Sequence, residues 1–181
     1  VDAGEPPQAV LLTTSGGLTG GDRIRVDASA DTGSRATLTT QAAEKIYRAL
    51  PEEADTRIAV AARVGAGAWL EWLAQEPILF ERARLRRSFD AELAPGARLL
   101  AVESIVFGRT AMGESWCRGR LHDSWRIRRD GRLIWADALA LDGDVAAQRR
   151  LPNGFGTAVA CSTLLYAGEG AARLLAPVRT R

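Results

Sequence analysis

The stretch "RIRVDASADTGSRATLTT", residues 23–40, holds the organising pattern of this chain in miniature. Ile24, Val26 and Ala28 fall on one face of its first half, and Arg23, Arg25 and Asp27 fall on the other. A period of two marks a strand with one face buried. Thr32 and Gly33 then signal a turn, and a second strand-like run follows. The same pattern returns in "TRIAVAARV" (56–64), "LRRSFDAEL" (85–93), "RLLAVESIVF" (98–107) and "RLIWADALAL" (132–141). Gly65-Ala66-Gly67, Pro95-Gly96 and Asp130-Gly131 punctuate these runs.

The glycines that open the second halves, Gly33, Gly67, Gly96 and Gly131, stand 34, 29 and 35 residues apart. Each unit reads as two long strands around a tight turn. A lone hairpin cannot bury its apolar face, so such units must share a core. The expected fold is mainly β, with stacked hairpins forming an irregular β-helical or sandwich-like architecture and a short C-terminal helix. Asp130-Gly131 is the clearest hairpin, since both residues accept the positive φ of a type I′ turn. A two-residue loop there pairs Arg126 with Trp135. "TTQAAEKIYRAL" (39–50) predicts a strand ending in a short irregular or helical segment before Pro51. "EGAARLLAPV" (169–178) predicts the helix, stopped near Pro177. "LPNGFGT" (151–157) reads as a linker, so 151–181 is expected to be an incomplete C-terminal element of one domain spanning 1–181.

A chain of 181 residues can bury a substantial core. Its net charge of +2 is too small for a dedicated nucleic-acid binder. Lys45 is its only lysine, the remaining basic residues being arginine. No apolar run is long enough for a membrane span. Cys117 and Cys161 are far apart, which predicts a reduced, cytoplasmic protein. A single histidine, His122, argues against an imidazole-based metal site. Val1 is not expected to be the native start.

The glycine loop "SGGLTGGD" (15–22) lacks the spacing of a dinucleotide fingerprint and the Lys-Ser/Thr of a P-loop. Asp22 after its last glycine would repel a phosphate. The loop reads either as a device that presents Asp22 at a strand end or as a turn that Asp22 closes on its own backbone. A Cys117–His122 pair or a serine with His122 is the only nucleophilic arrangement available, and a packed or solvated histidine is the alternative. Glu76, Glu103 and Asp137 lie in otherwise apolar segments, where a carboxylate is costly unless paired or hydrated. Glu103 and Asp137 occupy matching places in successive units, so they are expected either along one interior track or in solvated outward positions. A wet row of carboxylates would hold a hard or borderline cation loosely. Arg109 is positioned to clamp Glu114 or Glu103.

Taken together and in order, "SGGLTGGD", "TTQAAEKIYR", "WLAQEPILF", "APGARLLAVES", "FGRTAMGE" and "LIWADALAL" resemble the urease accessory protein UreD (UreH) family, from about residue 10 to about residue 165. The family's chains are longer at both ends, so this one is expected to be truncated. The resemblance implies a mainly β irregular stack without catalytic activity of its own. It implies docking on apo-urease and on UreF, which binds UreG, with nickel delivered to urease through a water-filled interior tunnel. No permanently bound cofactor is implied, only transient nickel, and no nucleic-acid or membrane partner. Residue by residue, it makes Asp22, Glu103 and Asp137 candidates for the nickel path. Gly16, Gly17, Gly20, Gly21, Thr39, Thr40, Gln41, Lys45 and Tyr47 match motif positions of structural or docking character, as do Arg109 and Glu114. The alternative reading is a purely structural β-rich module that stabilises a partner complex.

Overall fold

The computed structural model describes residues 6–180. Two β-sheets face each other, and the chain winds between them. The first sheet holds β2 (Arg23–Ala30), β5 (Thr56–Val64), β8 (Arg84–Leu93), β10 (Arg118–Arg129) and β11 (Arg132–Asp144), in the order β11-β10-β8-β5-β2. The second holds β1 (Gln8–Leu11), β3 (Arg35–Thr40), β6 (Trp69–Leu73), β9 (Arg98–Phe107), β7 (Pro77–Leu79) and β4 (Glu44–Ile46) in that order, with β12 (Ala160–Ala167) added against β9. Helix is limited to α1 (Val145–Arg149), α2 (Ala171–Arg179) and a 3₁₀ turn at Thr110–Met112.

The mainly β class, the two sheets and the short C-terminal helix are as expected, but the pairing is not that of hairpins. The turns at Gly33, Gly67 and Gly96 carry the chain from the first sheet to the second, and the strands on either side do not pair with each other. The pairing is parallel, from one winding to the next. Arg23 faces Arg57, 34 positions on, and Thr56 faces Leu85, 29 positions on. Arg35 faces Trp69, and Trp69 faces Arg98, at the same two spacings. The glycine repeat is therefore the length of a coil. A hairpin and a sheet-to-sheet corner share the same local signature: alternation, glycine, alternation. Only long-range pairing separates them. The corners stack through their backbones, with Gly33 N donating to Ala66 O and Gly67 N to Pro95 O.

Asp130-Gly131 does form the hairpin between β10 and β11, with φ of 50° and 74°. Its register shifts between Ile127 and Arg128, which sets Trp135 opposite Ile127 and Arg126 opposite Ala136. The expected Arg126–Trp135 pair is thereby lost. Trp135 instead packs edge-on against Trp125, with ring centroids 6.1 Å apart. After β3 the chain makes a short irregular stretch and then β4 before Pro51. Residues 151–159 connect α1 to β12, which pairs with β9 along eight positions from Ala160↔Val106 to Ala167↔Leu99. Pro177 sits inside the last turn of α2 rather than at its end. So near the terminus it removes only the bond to the Arg173 carbonyl.

Inward residues form two apolar clusters. One gathers Val60, Trp72, Phe89, Leu93, Leu99, Trp125 and Ile127 toward the glycine corners. The other gathers Ile46, Leu79, Leu85, Ile105, Phe107, Trp116 and Leu121 at the opposite end. The inward series of β8 runs Leu85, Arg87, Phe89; that of β9 runs Ala101, Glu103, Ile105; that of β10 runs Leu121, Asp123, Trp125. A charged residue stands at the middle of each. The two apolar clusters are thus separated by a buried ionic layer.

Candidate functional site

Arg87, Glu103 and Asp123 are 4 %, 3 % and 5 % exposed. Parallel pairing of β8 and β10 sets Arg87 directly beside Asp123. Arg87 Nε donates to Asp123 Oδ1 at 3.0 Å and its NH2 to Oδ2 at 2.7 Å, a bidentate fork. NH1 donates to the Ser104 carbonyl at 3.2 Å. From the facing sheet, Glu103 Oε2 lies 3.1 Å from Arg87 Nε. That nitrogen's proton goes to Asp123, so Oε2 takes an ion-pair contact without a directed hydrogen bond. The other oxygen, Oε1, accepts from Trp72 Nε1 at 2.8 Å.

Burial pushes the Glu103 carboxyl above the usual carboxylate range. Arg87 and Trp72 pull it down without overcoming that push, and Asp123 adds to it. Burial likewise pulls the Arg87 guanidinium down, but Glu103 and Asp123 together more than reverse this and leave it raised. An ion pair ordinarily lowers its acid, so the elevation of Glu103 means that loss of water outweighs its one cation. The layer thus holds two carboxyl groups against one guanidinium.

Cavities lie on both sides of this layer. A cleft of about 290 Å³ has apolar walls that include Ile24, Val26, Ile58 and Trp72. Gly16, Gln41, Glu44 and Lys45 also line it, and it reaches Arg87 and Glu103. A second cavity, about 30 Å³, is lined by Arg87, Glu103, Asp123, Trp125, Asp137, Cys161 and Thr163. It is large enough for a water molecule and has the polar partners one needs. Arg87 and Glu103 line both, so they form the shared partition. Burial raises the Cys161 thiol, with Arg87 opposing and Asp123 assisting.

Glu103 and Asp137 therefore meet at one small cavity, Glu103 buried and Asp137 exposed. Asp22 lines neither cavity. Its Oδ2 accepts from Thr19 N at 2.8 Å while its own N donates to Thr19 O at 3.1 Å, so it closes the glycine loop on itself. The loop is packed against β4. Leu18 N donates to Lys45 O, Tyr47 N to Leu18 O, and Tyr47 OH to Gly16 O. A Cβ on Gly17, at φ 140°, would come within 2.6 Å of the Tyr47 ring. Gly20 lies against Glu53 in the same manner, and Gly21 has a positive φ. Thr39 Oγ1 donates to Leu73 O, Thr40 Oγ1 accepts from Gln75 N, and Gln41 N donates to Leu11 O, which ties the loop after β3 to its neighbours. Lys45 is exposed. Glu76 is half-buried in the loop before β7.

Arg109 clamps Glu114 rather than Glu103, with Nε donating to Oε2 at 2.7 Å, and its guanidinium lies 4.3 Å above the Phe80 ring. The Glu114 carboxyl is lowered chiefly by the Glu81 backbone N–H, which outweighs the upward push of burial, and Arg109 lowers it further. His122 stands half-buried on β10, and Cys117 is exposed.

Arg87 and Asp123 are the site residues that the strand patterns did not single out. The signal was present: each interrupts an inward apolar series, Leu85-Arg87-Phe89 and Leu121-Asp123-Trp125. Among the described residues, no group of three or more His, Cys, Asp or Glu side chains converges to hold a metal ion. Among them, too, no helix is long and apolar enough to cross a membrane.

The family model described as "UreD urease accessory protein" matches residues 1–181. A protein named urease accessory protein UreD from Rhizobium rhizogenes is 51 % identical over 172 residues, covering 95 % of this chain and 62 % of that protein. One of the same name from Magnetococcus marinus is 48 % identical over 176 residues, covering 97 % and 60 %. Another, from Mesorhizobium japonicum, is 45 % identical over 175 residues, covering 97 % and 62 %. The chain spans about three fifths of the length of these relatives.

Proposed function

The chain belongs to the UreD family of urease accessory proteins, and from that premise we propose that it is a maturation scaffold whose interior gives nickel a path toward urease. Membership supports a role in urease maturation. The finer reading is that the scaffold docks on apo-urease and on UreF, with UreG reached through UreF, in the cytoplasm and without catalysis of its own. The observation that carries the path is the pair of cavities meeting at Glu103 and Arg87, with Asp137 at the rim of the smaller one.

The layer's chemistry suits a passing cation. Carboxylate oxygens and water hold a divalent ion weakly enough to release it. Glu103 keeps one oxygen without a directed donor, and Asp137 offers an exposed carboxylate beyond it. In the described state Arg87 closes the partition, so passage requires its guanidinium to move off Glu103 while keeping its fork with Asp123. Asp22 contributes by holding the glycine loop, whose Gly16 lines the larger cleft.

The closed partition equally favours a second reading, in which the chain is a structural module that stabilises the partner complex and nickel travels elsewhere. Urease activation in cells lacking their own copy separates the two. Glu103→Ala with Asp137→Ala is expected to lower activation while the complex with urease and UreF still co-purifies. Full activation by that variant removes the path and leaves the docking role. Asp22→Ala, tested alone, is expected to act through loop stability.

A further inference from the structure

A cleft of about 570 Å³ on another part of the surface is lined by Arg48, Arg82, Arg84 and Arg118, together with Ala49, Leu50, Pro51, Gly119, Gly143 and Asp144. Four guanidiniums share it with one carboxylate. Arg84 is committed, pairing with Asp55 at 3.3 Å and donating to the Leu50 and Glu53 carbonyls. Arg48, Arg82 and Arg118 have no carboxylate partner among the described residues.

Acids do stand nearby and keep their charge, but their oxygens are directed to other donors. Glu53 accepts from Leu50 N, Glu81 from Cys117 N and Arg118 N, and Asp144 from Ala147 N. Asp55 serves Arg84 and Arg120. The chain thus supplies local anions and turns them toward its own main chain, leaving three cations facing the cleft. Arg82 also holds a left-handed backbone, φ 64°, that arginine rarely adopts. Its N–H donates to Arg118 O and its carbonyl accepts from Ala49 N, which locks the three lining segments together.

The cleft adjoins a second one, about 660 Å³, through shared Arg48 and Leu50; this one adds the exposed Tyr47 ring, Phe80 and Arg109, and also Glu53, Glu81 and Glu114, so the excess of positive charge belongs to the first cleft and the apolar surface to the second. We infer that the arginine cleft is a docking surface for an extended acidic segment of a partner protein, with an apolar residue of that segment seated against Leu50 and Tyr47. The joint volume exceeds what one phosphate fills and matches several residues of an extended chain. Arginine forks suit successive carboxylates, and charge complementarity of this kind sets partner choice and encounter rate. This inference is independent of the nickel path.

The test is fluorescence anisotropy with a labelled oligoglutamate peptide carrying one phenylalanine, added to the full chain. Binding is expected to weaken by about tenfold or more with Arg82→Glu plus Arg118→Glu, a loss of ~1.4 kcal/mol, and to weaken similarly with Arg48→Glu. Arg132→Glu, at the far end of the β10–β11 hairpin, changes net charge equally per site and is expected to leave binding within about twofold. Circular dichroism establishes that each variant is folded, and Arg48→Glu keeps the test decisive if the double variant is not. Three results overturn the inference: no binding to the wild type, an equal loss with Arg132→Glu, or displacement of the peptide by inorganic phosphate at the peptide's own concentration.

Discussion

Replacing Arg87 by Met removes the only cation of the buried layer while keeping most of its volume. Glu103 and Asp123 are then two buried carboxyl groups without a counter-charge. Breaking a buried pair by removing one partner costs about 3–5 kcal/mol, because the charge left behind is uncompensated. In a domain of this length each kcal/mol lowers Tm by roughly 2–4 °C, so the loss should be about 6–20 °C. Glu103→Gln is expected to cost less, about 1–3 kcal/mol, because its amide NH2 takes the place of Oε2 beside Arg87 and finds no acceptor there. Its amide oxygen still accepts from Trp72, and Arg87 keeps its fork with Asp123.

The pH dependence follows in sign. Burial holds the Glu103 carboxyl above its unfolded value, so the folded chain binds the proton more tightly. The stability that this proton contributes is fully present below the unfolded carboxyl pKa and is lost as pH rises through the raised folded value. Without Arg87 the larger of the two pulls that oppose burial disappears, leaving only that of Trp72, so the Met variant's deficit should be greatest at neutral pH and shrink as the solution is acidified. Urea unfolding followed by tryptophan fluorescence at several pH values reads both effects. An Arg87→Met midpoint within ~1 kcal/mol of wild type, or a Glu103→Gln loss as large as that of Arg87→Met, refutes the picture of a carboxylate layer held by one guanidinium.

Other expectations are smaller in scope. Trp72→Phe deletes the one hydrogen bond that Glu103 Oε1 receives and should cost about 1–3 kcal/mol in the same unfolding assay, since a buried acceptor is left unmet. Gly17→Ala would press its methyl on the Tyr47 ring and the Lys45 carbonyl at an unfavourable φ, with an expected loss of about 1–3 kcal/mol. Limited proteolysis of the 15–22 loop should show the same damage. Asp137→Asn, at an exposed position, should leave stability within about 0.5 kcal/mol, so any effect it has on urease activation is not one on folding, and co-purification of the partner complex separates docking from passage of the ion.

The strands were legible where alternation survives: Ile24-Val26-Ala28 and Ile58-Val60-Ala62 face inward as the pattern requires, whereas β11, at the sheet edge, is mostly exposed and leaves Leu133 and Ile134 uncovered. The coil length was legible too, in the glycine spacing, but its meaning was not. Nothing local tells a corner between sheets from a hairpin turn, because the deciding contacts, such as Val60 beside Phe89, lie one coil apart in sequence. The Ile127/Arg128 register shift was likewise hidden, and it moved Trp135 by one place. Of the site, Glu103 stood out because a carboxylate among Val, Ile and Phe demands a partner. That partner is hidden in the sequence because "LRRSFDAEL" carries charges on both faces, and adjacent arginines at 86 and 87 look alike until their register with β10 is known. Asp22 drew notice for its place after four glycines, yet that place serves the turn itself.

The central claim is that an ion bound for urease passes the layer where Glu103 and Arg87 divide two cavities. Nickel bound per urease, measured on the enzyme recovered from cells that carry Glu103→Gln with Asp137→Asn in place of the wild-type chain, tests it most directly. The account predicts clearly less nickel at undiminished recovery of the accessory complex. Nickel equal to that of the wild type, with the complex intact, contradicts it.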